Sequence, residues 1–171
     1  MQSITRTLTR AKIVFIALIA LYWLQALVVA GADTPIATHF GLDGRANDWM
    51  SSGGFLMFHC WMTALILAVR WFIAASARWQ QGINIPEYRT FSDTQKHLFA
   101  GFMDVHSWSF GCLLAGMFLA IDGLILLANT RVPASLPLVF GLLLTMVFLG
   151  GMGWWTLRIF TEVKNIAQKV Q

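Results

Sequence analysis

Charge is what this sequence has least of. Of 171 residues only 12% are charged, while 57% are hydrophobic, and the charged share is about half that of an ordinary soluble domain. A chain of this length has no soluble core large enough to hide that much apolar surface. Lipid is the remaining solvent. Cysteine is nearly as scarce: Cys60 and Cys112 both fall inside apolar runs, which argues against a disulfide framework of the secreted type and leaves buried thiols. There is no internal repeat and no low-complexity tract. The formal net charge of +4 does not make a nucleic-acid surface, because the basic residues form no stripe with interleaved aromatics. No nucleic-acid partner is expected.

What is present is a succession of apolar runs long enough to cross a bilayer, which takes about 20 residues as a helix. They predict spans over 12–30, 54–77, 107–128 and 136–160. The expected fold is all-α, a four-helix transmembrane bundle with a short ordered extracytoplasmic loop, forming a single integral membrane domain over 1–171. Between the third and fourth spans Pro133 cannot continue a helix and its neighbours are polar or small. Pro137 is expected in the first turn of the fourth span, where a missing donor is tolerated.

The basic residues set an orientation. Of 12 Lys and Arg residues, Arg6, Arg10, Lys12, Arg70, Arg78, Arg89, Lys96, Arg158, Lys164 and Lys169 lie on one side of the expected spans. Only Arg45 and Arg131 lie on the other. The positive-inside rule makes the majority side cytoplasmic, which places both termini there. A cleaved signal peptide is the rival reading of the N-terminus, since Ala30-Gly31-Ala32 resembles a cleavage site. The apolar run before it exceeds the roughly 7 to 15 residues of a signal core, so a retained span is expected.

The outer loop, 31–53, is the most informative stretch. Pro35 favours an extended approach that Ile36 and Thr38 can continue, and Asp43-Gly44 signals a turn. Trp49 suits the headgroup layer. Ser51 or Ser52 can cap the second span.

Pro35-Ile36, His39-Phe40, Gly44, Trp49 and Ser52, set between two membrane helices, resemble the signature of a bacterial membrane-protein family that contains SdpI-type immunity proteins. Ile83-Asn84-Ile85-Pro86 and Tyr88 resemble the inner connection of its short, four-helix members. The chain departs from the family in carrying Gly53-Gly54 where a lysine often follows the capping serine, and in lacking a further block found in the longer immunity proteins. The resemblance implies a bacterial inner-membrane protein without enzymatic activity, in an immunity, signalling or partner-binding role. Its outer loop would contact a membrane or extracytoplasmic protein through Pro35, His39, Phe40, Asp43, Gly44 and Trp49.

Other residues invite other chemistry. Asp122 lies inside the third span, where an ionisable group is costly unless it meets a partner, water or a proton. It carries an alternative function, a small transporter or proton-coupled membrane factor. The plain alternative is that Asp122 reaches interfacial water or Arg131, or is neutral and bonded across helices. Arg70 is expected to snorkel.

His39, Asp43, Asp48 and His59 are metal-capable residue types, and a metal-dependent membrane enzyme using His39 and His59 is a third reading. Their spacing matches no ligand motif, so no metal or cofactor is expected. Met57, Met62 and Cys60 read as packing. His39 is expected to bond backbone groups and organise the loop, and His59 to face a neighbouring helix. His97, Asp104 and His106 flank the expected start of the third span without an accompanying nucleophile or carboxylate pair. Gly116, Ala120 and Gly123 on the third helix, with Gly150 and Gly153 on the fourth, form small-residue notches suited to close packing within the chain or against a partner.

Overall fold

The computed structural model describes residues 2–32, 35–76, 86–131 and 133–168. Four helices, α1 (Gln2–Ala30), α2 (Ser52–Ser76), α3 (Asp93–Asn129) and α4 (Leu138–Gln168), make an all-α bundle. Each is long and apolar enough to cross a membrane, because a backbone in lipid must satisfy its own hydrogen bonds and an unbroken helix does so. This is therefore a multi-pass membrane protein. Between α1 and α2 lies an antiparallel hairpin of β1 (Ile36–Phe40) and β2 (Ala46–Met50). A short 3-10 turn, Pro86–Thr90, precedes α3. Arg78 and Lys169 of the charge count, and Ile83 to Ile85, lie outside the described residues.

α1 and α3 pack along much of their length, and α2 lies against both. α4 meets α3 and the 3-10 turn, and its bilayer-facing side remains widely exposed at Val147, Leu149 and Leu157. The bundle is thus three tightly associated helices with a fourth on one flank.

α3 begins well before the expected residue 107. The first turns, Asp93 to His106, are too polar to read as a membrane span, yet they have a strong helix start. Ser92 accepts a hydrogen bond from the Gln95 backbone N–H at 3.3 Å, and the Gln95 side chain accepts from the Ser92 N–H at 2.8 Å. This capping box satisfies two donors that a helix end leaves open. Gln95 also donates to the carbonyls of Ile166 and Ala167, tying the start of α3 to the end of α4. Tyr88, Phe91, Phe99, Met103, Val163 and Ile166 close a small core there. At 37 residues, α3 spans about 55 Å, so it projects beyond the roughly 30 Å apolar layer. His97, Asp104 and His106 are consequently helical residues and do not flank a helix start.

At the other end, Ser51 caps α2 by accepting from the Gly54 N–H at 3.2 Å. Pro137 sits just before α4 rather than in its first turn. The hairpin is sewn onto the bundle. Leu136 N–H donates to the Gly44 carbonyl at 2.8 Å and Ala46 N–H to the Ala134 carbonyl at 3.2 Å. Gly44 has φ +77°, and a Cβ there would stand 2.6 Å from the Leu136 carbonyl oxygen. Only glycine accepts both that backbone conformation and that approach.

Candidate functional site

The deepest polar feature joins α2 to α3. His59 and Asp122 are 0% and 2% exposed, and His59 Nε2 lies 2.6 Å from Asp122 Oδ2. Each residue stands about two turns, or roughly 10 Å, from the hairpin end of its helix, which brings them to the same depth. The other imidazole nitrogen, Nδ1, donates to the Phe55 carbonyl at 2.8 Å.

That second bond determines the proton count. A carbonyl oxygen only accepts, so Nδ1 carries a hydrogen. One further proton then lies between Nε2 and Oδ2, and whichever atom holds it the pair has no net charge. A neutral imidazole beside a carboxylic acid and an imidazolium beside a carboxylate are the same composition with the proton moved. Taking that proton away leaves two lone pairs facing each other and a net negative charge within the bundle. A proton added to Asp122 while His59 keeps both of its own leaves a net positive charge.

Aromatic rings enclose the imidazole. Tyr22 of α1 stacks on it at 4.4 Å between centroids, Phe55 lies at 4.4 Å, and Phe58 and Trp23 present edges at 5.9 and 6.1 Å. Trp23 is held by its indole N–H donating to Thr63 at 3.2 Å. Ring faces attract a cation, so the Tyr22 face stacked on the imidazole suits an imidazolium. Among the described residues, two polar atoms of α1, Tyr22 Oη and Gln25 Oε1, face inward without a hydrogen-bond partner. Orphaned buried polar groups are rare and mark strain, function or a guest such as water. Gln25 packs where α3 has no side chain, its Nε2 standing 3.7 Å from the position a Cβ on Gly123 would take.

Comparison with protein-family models, with curated proteins and with solved structures returns no match. The likeness to the SdpI-containing family accordingly rests on the sequence motifs of the outer loop and the inner connection.

The hairpin residues take a different place from the buried pair. Pro35 is exposed just before β1. His39, expected to bond backbone groups, is exposed opposite Asp48, and its imidazole makes no hydrogen bond among the described residues. The loop is organised by other groups. Asn129 at the end of α3 accepts from the Ala37 N–H at 2.9 Å and donates to the Ala37 carbonyl at 3.0 Å. Asp43 accepts from the Arg45 N–H at 3.0 Å, closing the Asp43-Gly44 turn. Phe40 helps line an apolar cavity of about 290 Å³ between α3, α4 and β1. Trp49 is exposed on β2.

His39 and His59 do not meet, one exposed on a strand and the other enclosed in the bundle. Among the described residues no three His, Cys, Asp or Glu side chains are grouped to hold a metal. Met57 and Cys60 are exposed beside the inward-facing His59. Neither a hydrogen bond nor an ion pair joins His97, Asp104 and His106 among the described residues. His97 is exposed, Asp104 is half-buried, and His106 is buried with Nδ1 3.1 Å from the Phe102 carbonyl.

The glycine notches are used selectively. Gly116, Gly150 and Gly153 have open space where a Cβ would be, whereas Gly111 receives Phe15 and Gly151 receives Leu113. Ala120 lines a second cavity, of about 260 Å³, beside Gly116.

Tyr22 and Gln25 were not among the sequence candidates. Their signal is a pair of polar-ended residues three apart in an otherwise apolar span, which places both on one helix face.

Proposed function

We propose that this protein is a proton-coupled membrane factor, of the small-transporter class, in which the His59–Asp122 pair holds the exchangeable proton. The observation that carries this reading is the enclosed 2.6 Å contact between two titratable groups at membrane depth. Intramembrane ionisable residues that pair with one another are the usual parts of proton pathways. Loss or gain of the shared proton changes the site by one full charge where solvent cannot screen it. That change is tolerable only if helices repack, water enters, or a counter-ion moves with the proton. Tyr22 Oη and Gln25 Oε1 are the groups placed to receive such a newcomer.

The test is proton flux into liposomes that carry a trapped pH indicator and an imposed potassium diffusion potential. Wild type should acidify the lumen faster than empty liposomes. Asp122→Asn and His59→Gln should lose that flux while remaining monodisperse and helical. Wild-type flux equal to that of empty liposomes overturns the reading.

A second reading, partner binding in the manner of SdpI-like immunity and signalling proteins, is favoured by the hairpin. Its body is pinned to the bundle, yet Leu42 and Trp49 are 88% and 53% exposed, a rigid mount presenting apolar groups. Copurification of a stable membrane or extracytoplasmic protein that is lost in Leu42→Ser/Trp49→Ser supports it. Under either reading we propose that both termini are cytoplasmic, which the charge asymmetry supports, and that the membrane is a bacterial inner membrane, which only the motif resemblance supports.

A further inference from the structure

A second polar arrangement lies nearer the terminal end of the bundle and is independent of the proton pair. Arg70 of α2 lays its guanidinium over the Trp108 ring, with Cζ 3.9 Å from the ring centroid. Lys12 of α1 brings its ammonium within 5.4 Å of the same centroid. Phe15 meets this indole edge-on at 5.4 Å and fixes its orientation. Gly111 gives Phe15 its place, since a Cβ there would stand 2.9 Å from the Phe15 ring, and Arg70 Cδ lies just beyond at 3.8 Å.

Two positive charges from different helices therefore converge on one ring. Among the described residues neither forms an ion pair, and Arg70 Nε is buried without a hydrogen-bond partner. Like charges drawn together repel, and stacking on the indole uses only the guanidinium face. The in-plane Nε–H is thereby left without an acceptor among the described residues. Planar N–H donors with an adjacent ammonium match the oxygens of a phosphate.

We propose that Lys12 and Arg70 form a phosphate-binding site with Trp108 as its platform, and that the phosphate it takes is the headgroup phosphodiester of an anionic lipid. Arg70 lies about 9 Å from the end of α2, a depth from which a long basic side chain reaches the headgroup layer. A lipid phosphate sits in that layer, and a basic cluster at a membrane end attracts anionic lipid.

The full-length protein in neutral detergent provides the test, with retention of phosphatidylglycerol and phosphatidylcholine compared by native mass spectrometry. Thermal unfolding in sodium phosphate against sodium chloride of equal ionic strength provides a parallel arm. Wild type should retain phosphatidylglycerol in preference to phosphatidylcholine. Lys12→Gln and Arg70→Gln should each weaken that retention about fivefold, with Arg70→Lys intermediate. Stabilisation by inorganic phosphate that is lost in Lys12→Gln supports the site and assigns it to a soluble phosphate group instead of a lipid. If Arg70→Gln does not fold, Lys12→Gln decides alone. Equal retention of both lipids by wild type without phosphate stabilisation overturns the site, as does affinity unchanged in the glutamine variants.

Discussion

The buried pair makes a quantitative prediction through a double-mutant cycle. His59→Leu leaves Asp122 without its 2.6 Å partner, and Asp122→Leu leaves Nε2 without its own. Stranding a neutral buried group costs roughly 1–3 kcal/mol, and stranding a charged one about 3–5 kcal/mol. The double variant strands neither. It should therefore be less destabilised than the two single losses added together.

The size of that shortfall also reports the state of the shared proton. Neutral hydrogen bonds between membrane helices give coupling of about 0.6 kcal/mol on average and at most about 1.7. Coupling above about 2 kcal/mol thus indicates an imidazolium–carboxylate pair, and a smaller value the neutral one. The assay is loss of helicity during unfolding in mixed dodecylmaltoside and sodium dodecyl sulfate micelles, for wild type and the three variants. Losses that add to within roughly 0.3–0.5 kcal/mol, the margin expected of independent sites, would refute the pairing.

Asn129→Ala should release the hairpin, because it strands the N–H and carbonyl of fully buried Ala37. At roughly 1–3 kcal/mol per stranded group, the expected sign is faster amide hydrogen exchange over β1 while the helices stay protected. Gly150→Ala and Gly153→Ala meet open space and should leave stability unchanged or raise it by up to about 1 kcal/mol through helix propensity. A clear loss in bilayers but not in dilute detergent would instead reveal a partner helix at that face. Single cysteines at positions 45 and 89 should label from opposite sides of the membrane, with position 89 cytoplasmic. Labelling from one side would defeat the four-span topology.

The spans were legible because lipid removes the ambiguity that tertiary packing creates in water, so run length alone nearly determines the helix count. What lay outside the lipid was harder to see. The polar start of α3 has no span signature, although Ser92-Asp93-Thr94-Gln95 carries a capping box in plain sequence. β2 contains Asn47 and Asp48, poor strand formers, and forms because Gly44 turns the chain back onto β1. The place of His39 between the Pro35-Ile36 approach and the Asp43-Gly44 turn points to it as the organiser, whereas the organising side chain, Asn129, belongs to a helix end remote in sequence. Asp122 stands out in the sequence as a costly intramembrane acid, and the sequence also points to its partner. His59 and Asp122 lie at similar distances from the hairpin ends of their spans, and in a bundle of antiparallel helices equal depth is the first condition for contact.

The hairpin and the buried pair are physically continuous, which bears on how the two functional readings relate. Ile36 of β1 belongs to one cluster with Ala26, Val29, Phe55 and Ile125. This cluster lies between the hairpin and the enclosed imidazole. Phe55 touches the His59 ring and its carbonyl accepts a hydrogen bond from Nδ1, so a displacement passed from Ile36 through this cluster would reach the histidine. On the α3 side, Asn129 grips both Ala37 and the Ile125 carbonyl, about two turns above Asp122. A partner that moved the hairpin would act on both halves of the pair, and by linkage the protonation state of the pair would alter affinity for that partner by the same factor. The two proposed readings, hairpin recognition and proton exchange, therefore need not be competing uses of separate surfaces. With Asn129→Ala the proton site keeps its residues but loses this mechanical link, so altered proton flux in that variant would place the hairpin within the proton-coupled mechanism, and unaltered flux would confine it to recognition.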